Sequence, residues 1–444
     1  MPLFHMESEF ACPVEALFAY HARPGAFDRL VPPWVHLSKI DQKGTIEDGD
    51  LLVFKIHQGP LGITWRAEHE DYQPNKQFVD RQARGPFAAW RHVHGFEALS
   101  ANRAKLTDAI TYKLPMGPIG ALFGGPFLRA DLDRMFRFRH QRTRHDLQRH
   151  LAGDGEPKTL VFFGKINRFL RRLASFLSVG GHQIYHMCAA DPGGNQTWRF
   201  ECLAGRGSRY PLEEADILLH SGLPYRESRD PEITFDYLYD LAQLLEVAGN
   251  DHAHLIECHG FQRSLDHFIR EPFISFDPPK PRPLADAGEQ MPFLLARVAS
   301  RTLAYLGCMV SASMPQLTQL LLRLESYVFL KDGKATPEFY WISQEDAMGA
   351  VLHLIQNPGI QGEICLAHRE TTTRAELQRL LIKRRFFGYS KHRILKILPW
   401  TRPGLPAGMN TQLAQVENIM DHGFTPLTTD LATTLDLEEG KLIE

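Results

Sequence analysis

The chain has 444 residues, which is longer than one domain of ordinary size, so at least two domains are expected. Apolar residues make up 43% and charged residues 23%, and this globular composition excludes a disordered or fibrous chain. The formal net charge is -2 at pH 7, which excludes an overall electrostatic attraction to nucleic acid or to an anionic membrane.

The cysteines and the start of the chain indicate the compartment. The six cysteines are scattered without a C-x-x-C pair, so neither a disulfide framework nor a zinc ribbon is indicated. The first ten residues, MPLFHMESEF, contain no basic segment followed by an apolar one, and the chain has no run of about 18 uncharged apolar residues. We therefore predict a soluble cytoplasmic protein with no membrane insertion and no nucleic-acid partner, while a protein partner stays unknown.

The first third of the chain has the pattern of an antiparallel sheet followed by a long helix. Between residues 39 and 112, turn-forming residues separate five runs rich in β-branched and aromatic residues, namely LLVFKI, GITWRAEH, QFVDRQ, WRHVHGFE and KLTDAITY. After Pro126 the chain has no Gly or Pro up to residue 151, and apolar residues recur there at helical spacing: Phe127, Leu128, Leu132, Met135, Phe136, Leu147 and Leu151. We expect this helix to lie across the sheet.

Residues 153–157, GDGEP, are polar and rich in helix breakers, so they are the predicted linker. Beyond them, apolar strand candidates alternate with helical patterns. The strand candidates are TLVFF, HQIYHM, ADILLH, HLIECHG and RTLAYLGCMV, and the helical segments include NRFLRRLASFL and FDYLYDLAQLLEVA. This alternation predicts a doubly wound α/β unit with a parallel sheet over residues 158–310.

Two pairs of residues carry side chains that can bind metals or act in catalysis. His92 and His94 are two positions apart on a predicted strand, so they face the same side and could share a metal ion. The sequence places no third ligand beside them, so we predict no metal site. Cys258 and His259 are neighbours on a strand and face opposite sides, so we expect Cys258 to be a buried structural residue, and the catalytic residues stay unknown.

The turn after the TLVFF strand is where a dinucleotide pyrophosphate would bind, because glycines there let the backbone approach it. Its sequence is FGKINRFL over residues 163–170, which keeps Gly164 but has Asn167 and Leu170 where the second and third glycines would stand. Lys165 and Arg168 could attract an anion by charge, and a solvated loop explains them equally well. Gly164, Lys165, Asn167 and Arg168 are the candidate cofactor-binding residues.

Several motifs in the first third belong together: FAYHARPGAF (18–27), LVPPW (30–34), IEDG (46–49), GPL (59–61), AEH (67–69), GPF (85–87) and MFRFRH (135–140). With them the segment resembles the START-like polyketide cyclase/dehydrase family, in the subfamily fused to an epimerase-like domain. The resemblance implies an α+β helix-grip fold, an antiparallel sheet around a long C-terminal helix, with a cavity for an apolar small molecule. The expected lining residues, each with core packing as its alternative, are Trp34, Phe54, Trp65, Trp90, Phe127 and Met135.

The rest of the chain carries a second set of matches: the strand-turn-helix over 159–177, GH at 181–182, ADI at 215–217, WI at 341–342 followed by ED at 345–346, Thr373, and GF at 423–424. These residues resemble the epimerase family of extended short-chain dehydrogenase/reductase-like proteins. The resemblance implies a Rossmann-like doubly wound parallel sheet that binds NADP(H).

The sequence departs from this family at the functional positions. Ala189 or Ala190 stands where the family has a basic residue for the 2′-phosphate, and the family's Asn-Leu-Ala-Gly loop appears as HSG over residues 220–222. The segment that carries the family's catalytic tyrosine has the sequence ECHGFQRS over residues 257–264, without a tyrosine. Hydride transfer needs a bound nicotinamide and a proton donor, so we expect both to be lost.

The combined prediction is a two-domain protein. Residues 1–152 form the START-like helix-grip domain, residues 153–157 the linker, and residues 158–444 the epimerase-like Rossmann domain, whose part 310–444 includes a smaller C-terminal subdomain. The predicted function is binding of an apolar small molecule, beside a degenerate and non-catalytic NAD(P)-binding-like domain. The alternative is an NADP(H)-dependent oxidoreductase or epimerase of the extended short-chain type with a noncanonical phosphate loop, so whether the chain is an enzyme stays open.

Overall fold

The structure is a computed structural model. It describes residues 2–58, 61–115, 117–153, 156–164, 166, 168–189, 198–205, 207–208, 210–220, 241–259, 298–310, 338–373, 376, 380, 413 and 415–438. The chain divides into two compact units: the first unit contains residues 1–157 and 172–183, and the second contains residues 158–171 and 184–438. Residues 154 and 155 of the predicted linker lie outside the described residues.

The first unit is built on a seven-stranded sheet. Its strands are β1 (Leu3–Phe10), β2 (Leu37–Lys43), β3 (Leu51–Gln58), β4 (Leu61–Gln73), β5 (Gln77–Arg84), β6 (Ala89–Ser100) and β7 (Arg103–Lys113). Their order across the sheet is β1-β7-β6-β5-β4-β3-β2, and each neighbouring pair is antiparallel. The predicted antiparallel sheet is therefore confirmed, and the five predicted runs lie in β3 to β7.

The strand β1 was not predicted. Its sequence, LFHMESEF, has two glutamates and a serine, which disfavour a strand by propensity. Pairing with β7 decides its structure, with Leu3 opposite Thr111 and Phe10 opposite Ala104. Phe4 and Phe10 are buried at its two ends, so contacts with the rest of the unit override the local preference.

Three helices accompany this sheet: α1 (Val14–Ala22), α2 (Ala26–Leu30) and α3 (Gly117–His150). The long helix begins before the predicted start, and Pro126 lies inside it. Leu132 and Phe136 of α3 share a buried cluster with Ile110 and Tyr112 of β7, so the helix packs on the sheet as predicted. Inside a helix a proline removes a backbone donor and its ring also crowds the carbonyl four residues before it, so this position is unfavourable for the helix.

The second unit contains a larger sheet and a smaller one. The larger has β8 (Thr159–Phe163), β9 (Gln183–Ala189), β10 (Trp198–Ala204), β11 (Ile217–His220), β12 (His254–His259), β13 (Ser300–Leu306), β16 (Gly362–Leu366) and β18 (Glu417–Asn418). The smaller has β14 (Cys308–Val310), β15 (Glu338–Ser343) and β17 (Thr371–Thr373). The predicted strand over 301–310 is thus two strands, β13 and β14, separated at Gly307, whose N–H donates to the carbonyl of Leu366.

The larger sheet has the order β10-β9-β8-β11-β12-β13-β16-β18. The pairs from β8 through β11, β12, β13 and β16 to β18 are parallel, whereas β10 is antiparallel to β9. The sheet is thus mostly parallel, broadly as predicted, and it has an antiparallel strand at the β10 edge, where a strand has one partner and can join in either direction. The strand order reverses between β8 and β11, where open α/β sheets bind their ligands.

The chain after α3 contains further helical segments. They are α4 (Arg168–Val179), whose residues 172–179 belong to the first unit, and residues 241–248, α5 (Gln344–Gln356), a 3₁₀ turn (Ile419–His422) and α6 (Leu431–Glu438) in the second unit. Ser343 caps α5, since its hydroxyl accepts the N–H of Asp346 at 2.8 Å. Across the part of the chain that the structure describes, no helix is long and apolar enough to cross a membrane.

Candidate functional site

The first unit contains a partly open cavity of about 720 Å³. Its walls come from strands β3 to β6, from the segment between α1 and β2, and from the middle of α3. Pockets of roughly 300–1,000 Å³ hold drug-sized molecules in proteins. The cavity is therefore large enough for such a ligand.

Five of the six predicted lining residues face this cavity: Trp34, Phe54, Trp65, Trp90 and Met135. The sixth, Phe127, does not, since 77% of its side chain is exposed. On α3 the inward face carries Leu128, Leu132 and Met135, at intervals of four and three residues. Phe127 stands one position before Leu128, so it is rotated by about 100° away from that face. The prediction for Phe127 is wrong.

Aromatic rings form a continuous wall. Phe54 of β3 stacks on Trp65 of β4, with ring centroids 5.7 Å apart and an interplanar angle of 14°. Trp65 meets Trp90 of β6 edge-on at 5.2 Å and 88°. Phe87 lies 4.8 Å from Trp90. Aromatic pairs in these geometries add to the free energy of burial, so the wall is held in a defined arrangement.

The other end of the cavity is polar. Asp80 of β5, His92 and His94 of β6, His69 of β4 and Arg139 of α3 all line it. Register explains the grouping: Asp80 lies opposite both His69 and His92 on its two neighbouring strands. Cross-strand partners on one face of a sheet are in contact, so these three side chains meet at one place, and His94 lies two positions beyond His92 on the same face.

Two carboxylates organise the cluster of imidazoles. Asp108 of β7 accepts from His92 Nε2 at 2.8 Å and from His140 Nε2 at 2.6 Å, and His94 Nδ1 lies 2.9 Å from it. Asp80 accepts from His94 Nε2 at 3.0 Å, and its other oxygen lies 2.8 Å from His69 Nε2. Asp108 and His92 are each about 3% exposed, so this is a buried ionic network.

The network shifts the pKa values of its members. Burial opposes ionisation of Asp80 and Asp108, but hydrogen bonds from the histidines hold the pKa of each carboxyl well below its usual range. Burial likewise disfavours the charged form of His94, yet the two carboxylates raise its pKa to about 9. Burial lowers the pKa of His92 to about 4, with the neighbouring His94 charge acting in the same direction. One imidazolium thus lies between two carboxylates.

The sequence pattern indicates His92 and His94 but not Asp80, Asp108 and His140. The missing signal is strand pairing, because His94 lies opposite Asp108 only in the observed register of β6 and β7. Period-two alternation shows which side chains of one strand share a face, and it does not show which residue of the next strand stands opposite.

In the second unit, Gly164 follows β8 with φ of 83°, a conformation that glycine adopts without strain. Arg168 is exposed at the start of α4, whereas Lys165 and Asn167 lie outside the described residues. The side chain of Leu170 is 1% exposed. A buried leucine thus occupies the position where a dinucleotide-binding turn has a glycine for close packing of helix and strand.

The strand β12 contains the beginning of the segment ECHGFQRS (257–264), where the epimerase family has its catalytic tyrosine. Cys258 is fully buried, and burial raises the pKa of its thiol well above the usual range, so it is the structural residue that we predicted. Glu257 is also buried, in an ion pair with Arg301 of β13. Residues 260–264, together with Ser221, Gly222 and Ala190, lie outside the described residues.

Comparisons with known proteins give the fold. No protein-family model matches the chain, and no curated protein sequence matches it. A nucleoside-diphosphate sugar epimerase from Corynebacterium glutamicum has a similar structure, with a TM-score of 0.65 and 20% sequence identity, over 98% of this chain and 90% of that one. At this identity the likeness shows an epimerase-like fold alone.

Two further solved structures match about the first third of the chain. The ZhuI aromatase/cyclase from Streptomyces sp. R1128 has 15% identity and a TM-score of 0.28, over 34% of this chain and 96% of that one. A norcoclaurine synthase point mutant from Thalictrum flavum has 12% identity and a TM-score of 0.29, over 34% and 96%.

Proposed function

We propose that the first unit binds a small, mostly apolar molecule, and that the second unit is a Rossmann-like scaffold without hydride-transfer activity. The observation that carries the first part is the cavity, with an aromatic wall at one end and a buried His–Asp network at the other. Apolar walls supply affinity, while a few polar groups orient the ligand. The proposed ligand is therefore an apolar body with one polar or anionic group.

Fluorescence of 1-anilinonaphthalene-8-sulfonate, an apolar probe with one anionic group, tests this proposal. We expect saturable enhancement with the wild-type protein and at least tenfold weaker binding, about 1.4 kcal/mol, with Trp90→Arg. The arginine places a charge on the aromatic wall, where it lacks a partner. Ile63→Trp, which reduces the volume without adding charge, is expected to weaken binding as well.

Ile40→Arg is the matched control, because Ile40 lies on β2 of the same sheet but is 56% exposed. It is expected to bind the probe as the wild type does. Circular dichroism checks that each variant keeps its secondary structure. Equal binding by wild type, Trp90→Arg and Ile63→Trp would place the probe elsewhere and contradict the cavity as the binding site.

The second candidate function is that of an NADP(H)-dependent oxidoreductase or epimerase. It is favoured by the strand order of the larger sheet, by the glycine at 164 after β8, and by the epimerase-like fold. Two features argue against dinucleotide binding. Leu170 is buried where the family has a glycine, and Ala189 at the end of β9 supplies no basic side chain for the 2′-phosphate. We expect the family's phosphate contacts to be missing.

Titration with NADPH and NADH, followed by cofactor fluorescence, separates the two functions. We expect no saturable binding below millimolar concentration, which corresponds to a binding free energy weaker than about −4 kcal/mol. An extended short-chain reductase with a complete glycine turn serves as the positive control. Micromolar binding by this chain would instead support the oxidoreductase, with Gly164 in a noncanonical phosphate loop.

A further inference from the structure

Three side chains at the polar end of the cavity direct ligand atoms at one point. Asp80 Oδ2 lies 3.0 Å from His94 Nε2 and 3.7 Å from His92 Nδ1. The ligand atoms of these three residues all lie within 4.8 Å of one another. A tetrahedral ion with bonds of about 2.0–2.2 Å holds neighbouring ligand atoms roughly 3.3 Å apart. The observed separations bracket that value.

The opposite nitrogens of both rings face one carboxylate. His92 Nε2 donates to Asp108 at 2.8 Å, and His94 Nδ1 lies 2.9 Å from the same oxygen. An ionised carboxylate only accepts, so His92 Nε2 carries its proton and His92 Nδ1 is left for coordination. His92 Nδ1 and His94 Nε2 are the two nitrogens that face Asp80.

Each of the two carboxylates also contacts a histidine outside the three candidate ligands. His140 Nε2 donates to the second oxygen of Asp108 at 2.6 Å, and its Nδ1 lies 2.8 Å from the hydroxyl of Ser8. His69 Nε2 lies 2.8 Å from the second oxygen of Asp80. Imidazole ligands backed by a carboxylate that is itself hydrogen-bonded are typical of protein metal sites.

The negative charge of the carboxylates also favours a bound cation. Two carboxylates, Asp80 and Asp108, flank the same two imidazoles, and Asp108 is 3% exposed. Buried carboxylates need cations close to them. A divalent ion beside Asp80 would supply such a charge.

We propose that Asp80, His92 and His94 form a site for a divalent transition-metal ion of the zinc type. Two imidazoles and one carboxylate suit such an ion and leave at least one coordination position for another group. All three residues line the cavity, so that position faces the space where a ligand would lie. The ion would act there as a Lewis acid toward the polar group of a bound molecule.

Cobalt titration of the chelator-treated, ligand-free protein tests the site. Co²⁺ replaces Zn²⁺ in such sites and reports its coordination through visible d–d absorption. We expect one equivalent to bind in the first unit and to be displaced by Zn²⁺. Asp80→Asn and His94→Gln are expected to abolish the band, and Asp108→Asn to weaken the affinity by about 10–100-fold, as loss of a supporting carboxylate does.

A second group in the chain provides the control. His186, Cys188 and Glu201 also place their ligand atoms within 4.8 Å of one another. Co²⁺ bound there would show a sulfur charge-transfer band, which Cys188→Ser removes. We expect Cys188→Ser to leave the d–d band of the proposed site unchanged. Circular dichroism confirms that the variants fold, and Asp80→Asn is the mildest because Asp80 is 27% exposed.

Two results would overturn the proposal: no stoichiometric Co²⁺ uptake by the wild-type protein, or uptake that persists unchanged in Asp80→Asn and His94→Gln. Neither result bears on binding of the apolar probe, which the Trp90→Arg series measures in metal-free protein. Failure of the metal site and failure of the ligand cavity are thus distinguishable.

Discussion

Asp146→Ala is expected to lower the free energy of unfolding of the first unit by about 3–5 kcal/mol, because it leaves a buried guanidinium without its counter-ion. Arg29 of α2 donates to both carboxylate oxygens of Asp146, from Nε at 2.9 Å and from Nη2 at 2.6 Å. Tyr20 of α1 donates its hydroxyl to the same carboxylate at 3.0 Å. None of the three residues is more than 6% exposed.

Chemical denaturation followed by tryptophan fluorescence measures this loss. The matched control is Asp133→Ala, since Asp133 pairs with Arg137 on the same helix at 2.7 Å but is 45% exposed. An exposed pair of this kind contributes at most about 0.5 kcal/mol. Equal losses for the two variants would show that the buried pair is not the connection that holds α1 and α2 to α3.

Acidification from pH 7 to pH 4 is expected to destabilise both units, by roughly 2–3 kcal/mol for each deeply buried neutral histidine. Burial, and secondarily the nearby His182, lowers the pKa of His150 in the first unit to about 3. Burial lowers the pKa of His254 in the second unit to about 4. The unfolded chain binds these protons near pH 6.5, so stability is complete above that pH and is lost as the pH falls toward the folded values.

The variant His254→Gln isolates one of these contributions. His254 lies 2.6 Å from the hydroxyl of Ser300 and 3.0 Å from that of Thr302, and a glutamine amide can form comparable hydrogen bonds. We expect the unfolding transition of the second unit to depend less on pH between 6.5 and 4 in this variant, while the first unit is unaffected. Identical pH profiles for wild type and variant would assign the acid sensitivity to other groups.

Much of the fold could be predicted from local pattern. The run KLTDAITY alternates in burial as a half-buried strand does, and TLVFF is a continuous apolar run because β8 is fully buried. The strand β10 was missed, since nothing in its sequence, WRFECLA, indicates that it pairs antiparallel with β9 at a sheet edge. Direction and partner of an edge strand depend on tertiary contacts that a local window does not contain.

The site was less accessible to sequence reasoning. The aromatic residues Trp65 and Trp90 could be assigned to the cavity, because the family resemblance supplied the overall topology. The polar network could not, because Asp80, His94 and Asp108 are far apart in the sequence and meet only through the pairing of three strands. Phe127 shows the opposite error, since a stripe of apolar residues on a helix does not specify which of two adjacent positions faces inward.

The pairing of β1 with β7 affects how the first unit folds. Leu3 of β1 lies opposite Thr111 of β7, so this edge of the sheet joins the two ends of its own chain segment. Contacts between residues this distant in sequence close a long loop, and that loss of chain entropy precedes any gain from the contact. The meander β3 to β7 can form by local hairpins, whereas β1 must wait for β7 to be synthesised. Docking of β1 is therefore a late step, and until it occurs the β7 edge is open to intermolecular pairing and aggregation.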